Sequence, residues 1–139
     1  MSLFARYSSA EEVEDAFYRA FQELDLPLMD QVWSDGDECA CLHPGGDLLQ
    51  GKASIMQSWT DIFDNTHRPS MVHRRLQTIQ REDLSIHLVE ELIRPGKDPK
   101  ATRVVATNIF RREADGWRML SHHASLPIIK PQASRGRLH

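Results

Sequence analysis

Residues 71–125 place the tightest constraint on what this chain can fold into. Apolar and polar side chains alternate through stretches 71–80, 83–94, 101–112 and 117–125, each long enough for a full strand. The connectors between them are short. Residues 94–100, RPGKDPK, form a polar turn rich in proline and glycine. Residues 113–116, EADG, end in Asp115-Gly116, the dipeptide that most favours a tight hairpin. Strands joined in hairpin succession pair antiparallel. A sheet of that kind needs a cover for its apolar face, and the first half of the chain supplies candidates.

Ser9 followed by Glu12 reads as a capping box, and Val13, Ala16, Phe17, Ala20, Phe21 and Leu24 recur at helical spacing. A helix over residues 9–25 follows, with Glu11, Glu14, Asp15 and Arg19 expected on its wet side. Pro27 opens a short second helix over 28–33, stopped by Ser34-Asp35-Gly36. Residues 38–43 alternate as a strand does, until Pro44-Gly45-Gly46 ends it. Residues 52–63 form a further amphipathic helix, with Ile55, Met56, Trp59, Ile62 and Phe63 on one side. Helices grouped ahead of a sheet and covering one face of it make an α+β domain, with a concave space between the two layers. Residues 1–127 read as one domain and 128–139 as an aperiodic tail.

The length of 139 residues and an apolar fraction of 40% suit a single core. A net charge of -3 argues against a nucleic-acid or membrane-surface partner. No apolar run is long enough for a bilayer span, and the opening residues lack a secretory pattern, so the expected compartment is the cytoplasm. Cys39 and Cys41 share one face of a strand, which is poor geometry for a mutual disulfide and reads as two small buried side chains. No His-Glu-x-x-His pattern is present, and neither a metal nor a cofactor is expected.

The runs VWSDGDECACLHPGGDLLQGKASIMQSWTDIF (32–63) and TNIFRREADGWRMLSHHAS (107–125) resemble a SnoaL-like domain, of the ketosteroid isomerase and nuclear transport factor two superfamily. The resemblance covers residues 9–127. It implies a cone-shaped, cystatin-like α+β fold: a curved antiparallel sheet wrapped around the N-terminal helices, commonly a homodimer through the sheet. It says little about chemistry, because this scaffold hosts isomerases, dehydratases, hydrolases, cyclases and plain binding modules. Ketosteroid isomerases carry an aspartate base before a proline, and the matching dipeptide here is His43-Pro44. Their second, protonated aspartic acid precedes His-Phe-Arg, and the matching stretch is Asn108-Ile109-Phe110-Arg111. Their helical tyrosine falls on Phe17, with Tyr18 one position off. Histidine for the base and an amide for the acid argue against ketosteroid isomerisation itself.

The candidate catalytic set is therefore His43, Asn108 and His123. His43 is read either as a general base or as a histidine that fixes the Pro-Gly-Gly turn. Strand alternation puts Trp117, Met119, Ser121, His123 and Ser125 on one face and His122 on the other. With Trp117 and Met119 in the core, His123 would join the pocket and His122 would face a partner subunit. Phe17, Trp33, Trp59, Phe63, Phe110, Ser121 and Ser125 are the expected ligand-lining residues, the aromatics serving equally well as core. Two functions remain open. One is a lyase-, isomerase- or hydrolase-type enzyme acting on a mostly apolar small molecule with a polar group, through a histidine base. The other is a non-catalytic binding or dimerisation module.

Overall fold

The computed structural model describes residues 7–94, 96 and 100–128. Most of the turn at 94–100 and the tail from residue 129 onward lie outside them. Nine elements follow in the order α1 (Ala10–Glu23), α2 (Leu26–Val32), β1 (Ala40–Leu42), β2 (Leu49–Gln50), α3 (Lys52–Asp64), β3 (Ser70–Gln80), β4 (Leu84–Arg94), β5 (Thr102–Glu113) and β6 (Gly116–Ser125).

Local chemistry sets the helix ends. Ser9 caps α1, its hydroxyl accepting from the Glu12 N–H at 3.2 Å. The Glu12 carboxylate reaches back to Ser8, accepting from its N–H at 2.7 Å and its hydroxyl at 2.6 Å, so the box closes one residue earlier than the motif suggests. Leu24 ends α1 in the left-handed conformation at φ 55°. Asp25 then caps α2, accepting from Leu28 N–H at 3.0 Å, which starts that helix two residues before the expected position.

The sheet runs β2-β1-β6-β5-β4-β3. The four long strands pair antiparallel in sequence order, as the hairpin connections require. β1 is the exception. It lies parallel to β6, with Cys41 opposite His122 and Leu42 opposite His123, and it is only three residues long. Two register shifts interrupt the ladders, one at Leu76 in β3 and one at Leu120 in β6. Each adds one residue to its strand, bends it, and breaks the simple alternation of faces.

The three helices pack on one face, and the core lies between. Phe17, Trp33, Trp59, Met29, Phe110 and Met119 are fully buried there. Cys39 and Cys41 are buried free thiols, as their spacing indicates. No helix among the described residues is long and apolar enough to cross a membrane.

Candidate functional site

The inward face of the sheet carries something the helical pattern does not announce: a buried polar cluster. Glu14 on α1 was expected in water and is instead 0% exposed. A carboxylate can stand there only if its oxygens are filled by donors. Three sources supply them. Arg75 of β3 donates through Nε, His87 of β4 through Nδ1 at 2.9 Å, and Asn108 of β5 through Nδ2 at 2.8 Å. Burial alone would raise the Glu14 pKa, but the hydrogen bonds from His87, Asn108 and Arg75 outweigh it and hold the group below the ordinary carboxylate value.

That ionised carboxylate orients its neighbours. Because Glu14 only accepts, the Asn108 amide must turn Nδ2 towards it, and Nδ2 also lies 3.0 Å from the Tyr18 hydroxyl. Asn108 Oδ1 then faces His122 Nδ1 at 2.6 Å, which makes Nδ1 the protonated nitrogen of that ring. Tyr18 donates to Glu91 at 2.6 Å. His87 Nε2 meets the Ser85 hydroxyl at 3.0 Å. Tyr18, one position off the residue that the resemblance marks, is thus a buried hydroxyl beside Asn108.

Two carboxyls in one cluster cannot share the same fate. Glu91 has Tyr18 as its hydrogen-bond donor. Desolvation and the nearby charge of Glu14 push its pKa up to about 7, against the lowering effect of the Tyr18 bond. Burial and the Glu91 charge raise Tyr18 well above the ordinary phenol value. Burial first, then the neighbouring His43 and His123, push His122 down to about 3, so this ring is neutral.

The exchange of the two histidines is the main correction to the expected site. His122 is 2% exposed and points inward, while His123 is exposed on the outer face. The cause is the register shift at Leu120. Met119 pairs with Phe110 and Ser121 pairs with Ile109, so one extra residue sits between them. Counted by twos from Trp117, residues 121, 123 and 125 should face inward. The bulge turns them out and brings His122 and Ala124 in. Ser121 is half-buried and Ser125 exposed, both on the outward side, where neither lines the interior.

His43 stands apart from Asn108. It is half-buried at the end of β1, its Nε2 lies 2.9 Å from the Ser58 hydroxyl, and its ring meets Trp59 edge-on at 4.8 Å. Ser58 donates to the Ile55 carbonyl at 2.6 Å, so His43 Nε2 is the donor to Ser58 and Nδ1 the unprotonated nitrogen. Burial lowers the His43 pKa. The neighbouring Cys41 thiol is pushed up to about 12 by burial and by Cys39, which keeps it from acting as a thiolate.

The expected lining aromatics pack on one another. Phe17 meets Trp59 at 5.6 Å and Trp33 at 6.3 Å, Trp59 meets Phe63 at 5.6 Å, and Phe110 lies 4.9 Å from the His87 ring. They fill the space between the layers. The Trp33 and Trp59 indole N–H groups are buried without an acceptor among the described residues. No group of three or more possible metal ligands occurs among those residues.

Two sequence signals did point to the cluster. Glu14 lies seven residues before Phe21 and four before Tyr18, inside the apolar arc of α1. The period-two series Ser85, His87, Val89, Glu91 marks one face of β4. Nothing in either pattern says that the two faces meet.

A curved six-stranded sheet with helices packed into its concave side is the cystatin-like α+β class. The chain belongs to the SnoaL-like domain family, whose model matches residues 10–129. Solved structures support the placement. A candidate calcium/calmodulin-dependent protein kinase type II association domain from Thiobacillus denitrificans is 36% identical, with a TM-score of 0.86 over 90% of this chain and 100% of that one. A candidate dehydratase of the NTF2-like family from Streptomyces avermitilis is 29% identical, with a TM-score of 0.77 over 86% of this chain and 94% of that one. The F-box protein SKIP8 of Arabidopsis thaliana is 23% identical over 120 residues, 86% of this chain but 50% of that protein. The chain therefore spans half the length of this curated relative.

Proposed function

We propose that this chain is a self-associating module whose outer sheet face docks on the same face of a second copy. The observation that carries the reading is the outer face itself. Val72 is 64% exposed, Leu76 48% and Leu92 38%, and Leu84 and Ile79 stand beside them on the same sheet. Single exposed apolar residues need no explanation, but a stripe across neighbouring strands does. The acidic group of this face is already engaged within the protomer: Glu90 is held by Arg74 at 3.3 Å and Arg103 at 2.7 Å. Four strands at ~4.8 Å spacing and ~3.3 Å per residue present roughly 600 Å² of projected face. That is the order of the ~800 Å² per partner that stable interfaces bury. The 36% identical relative carries the name of an association domain, which agrees with the reading.

The test is sedimentation of the purified chain beside Leu88→Glu, which places a charge in the centre of the stripe. The native chain is expected to sediment as a dimer or a multiple of one. The variant is expected to be a folded monomer by circular dichroism. A native chain that stays monomeric at tens of micromolar would sink the proposal.

A second reading keeps the interior as a binding or catalytic chamber for a mostly apolar molecule with one or two oxygens. One observation favours it: the two carboxyls, Glu14 and Glu91, are shifted in opposite directions around Tyr18 and Asn108, as acid and base pairs in active sites are. In this reading Asn108 orients the ligand oxygen, Glu91 exchanges the proton, and His43 is a separate base at the rim. His123 has no interior role. A native mass spectrum of the purified chain tests it. A retained small molecule that is lost in Tyr18→Phe supports the chamber, and an unliganded mass in both leaves only the association module.

A further inference from the structure

We infer that the segment Leu126-Pro127-Ile128 of each copy seats in a hollow on the outer sheet face of the other, an inference that rests on the proposed docking of two copies. The β5–β6 ladder ends at the pair Val105–Ser125. The three residues that follow belong to no strand. Leu126 is 56% exposed and Ile128 93%, so the protomer leaves most of both side chains in water. Two exposed aliphatic side chains flanking one proline ask for a cover, which scattered single ones do not.

The cover has to be apolar and close to where the segment starts. A shallow hollow of about 320 Å³ meets both conditions. Its walls are Leu76 from β3, Leu88 from β4, and Val105 and Thr107 from β5, with His123 and Ser125 of β6 along one side. Strand pairing sets these side chains in one transverse row: Leu88 lies opposite Thr107, and Thr107 opposite His123. The register shift at Leu76 adds a residue to β3 at the end of that row and bends the strand, leaving Leu76 48% exposed at the rim. Through Leu76 the hollow is continuous with the apolar stripe.

The segment leaves from the edge of this hollow, because Ser125 is one of its walls. Within its own protomer it does not lie down there, as the exposure of Ile128 shows. In a symmetric pair the same patch serves on both sides, so what one copy gives it also receives. With the two hollows facing each other, the segment leaving the rim of one lies over the other. Three extended residues reach about 10 Å. The three strand spacings from β6 to β3 span roughly 14 Å, so Leu126 and Ile128 fall within the width of the hollow. Pro127 fixes its own φ and keeps Leu126 extended, so little chain freedom is lost on seating. Each dimer takes two Leu126 and two Ile128 side chains out of water in this way. An aliphatic side chain fully buried tightens binding by about tenfold or more, so loss of all four raises the dimer dissociation constant by at least about a hundredfold.

Sedimentation equilibrium tests this on four proteins: the native chain, Leu126→Ser with Ile128→Ser, Leu76→Ser alone, and all three substitutions together. Circular dichroism checks folding, which is expected to be unchanged because these side chains are exposed in the protomer. The double variant is expected to lose affinity by the factor given. If segment and hollow touch across the pair, their losses overlap, and the triple variant falls short of the product of the separate losses by at least about threefold. A native dimer that is equally tight in the double variant overturns the seating and leaves the association module standing. So does a triple variant whose loss equals that product. A native chain that stays monomeric at tens of micromolar overturns the module and the inference with it.

Discussion

His122 and His123 are neighbours in the chain, and their surroundings could hardly differ more. One is sealed beneath helix α1, hydrogen-bonded to Asn108 and packed 4.8 Å from the Phe17 ring. The other lies in a hollow of leucine, valine and threonine on the open side of the same sheet. The inner face of the sheet is polar where it should be greasy, and Glu14, Tyr18, His87, Glu91, Asn108 and His122 hydrogen-bond to side chains of the same protomer. The outer face is greasy where it should be wet. A buried polar cluster that is fully paired rigidifies and specifies one arrangement. An exposed apolar stripe asks for a partner. The contrast puts a paired polar cluster inside and an apolar stripe outside, the face on which the proposed association would act.

The sharpest way to break the inner face is to remove its anion. Glu14→Ala takes away the buried acceptor that Arg75 Nε, His87 Nδ1 and Asn108 Nδ2 share, and is expected to cost about 3–5 kcal/mol in chemical denaturation. Glu14→Gln, which keeps one oxygen but presents an amide to those donors, should fall between the two.

Next comes Glu91→Gln, whose effect depends on pH. The Glu91 pKa is raised from 4.5 to about 7 in the fold. A raised pKa means the folded state holds the proton more tightly, so the group costs nothing below about pH 4.5. Its penalty grows through the interval and is complete above about pH 7. The variant is therefore expected to match the native chain near about pH 4 and to exceed its stability by up to about 3 kcal/mol near about pH 8. His122 acts with the opposite sign. Its pKa is depressed from 6.5 to about 3, so the stability it lends is present above about pH 6.5 and is lost as the pH falls towards 3. Urea midpoints of the native chain, Glu91→Gln and His122→Phe across this range separate the two slopes. A Glu91→Gln advantage that does not change with pH would refute the assignment of that titration.

The smallest effects belong to a matched pair on β5. Asn108→Ala is expected to cost about 2 kcal/mol, because His122 and Glu14 each lose a buried partner. Thr107→Ala, one residue away and facing out, should change monomer stability by less than about 0.5 kcal/mol. If the two cost the same, the division between the faces is wrong.

Much of this was readable from the residues. The four strands, the Asp115-Gly116 hairpin, the cap at Ser9 and the helix over 52–63 follow from local propensity and periodicity. The two-residue strand at Leu49–Gln50 was not, because so short a segment carries no period. Among the candidate site residues, Asn108 was marked by an amide in a core strand, which must find partners if buried. Those partners, Glu14, Tyr18 and His122, come from α1 and from the next strand. No spacing rule links residues that far apart.

The sequence by itself determined most of which segments are helix and strand, and that histidines, an asparagine and aromatics crowd the last two strands. Those are local properties, set by side-chain chemistry acting over a few residues. The tertiary structure decided which of two adjacent histidines is inside, that Glu14 and Glu91 are drawn out of water together, and that His43 pairs with Ser58 rather than Asn108. A single extra residue at Leu120 reverses the faces that counting assigns to everything after it. Its presence follows from how β6 must meet both β5 and β1, a condition on the whole sheet that no stretch of the chain states alone.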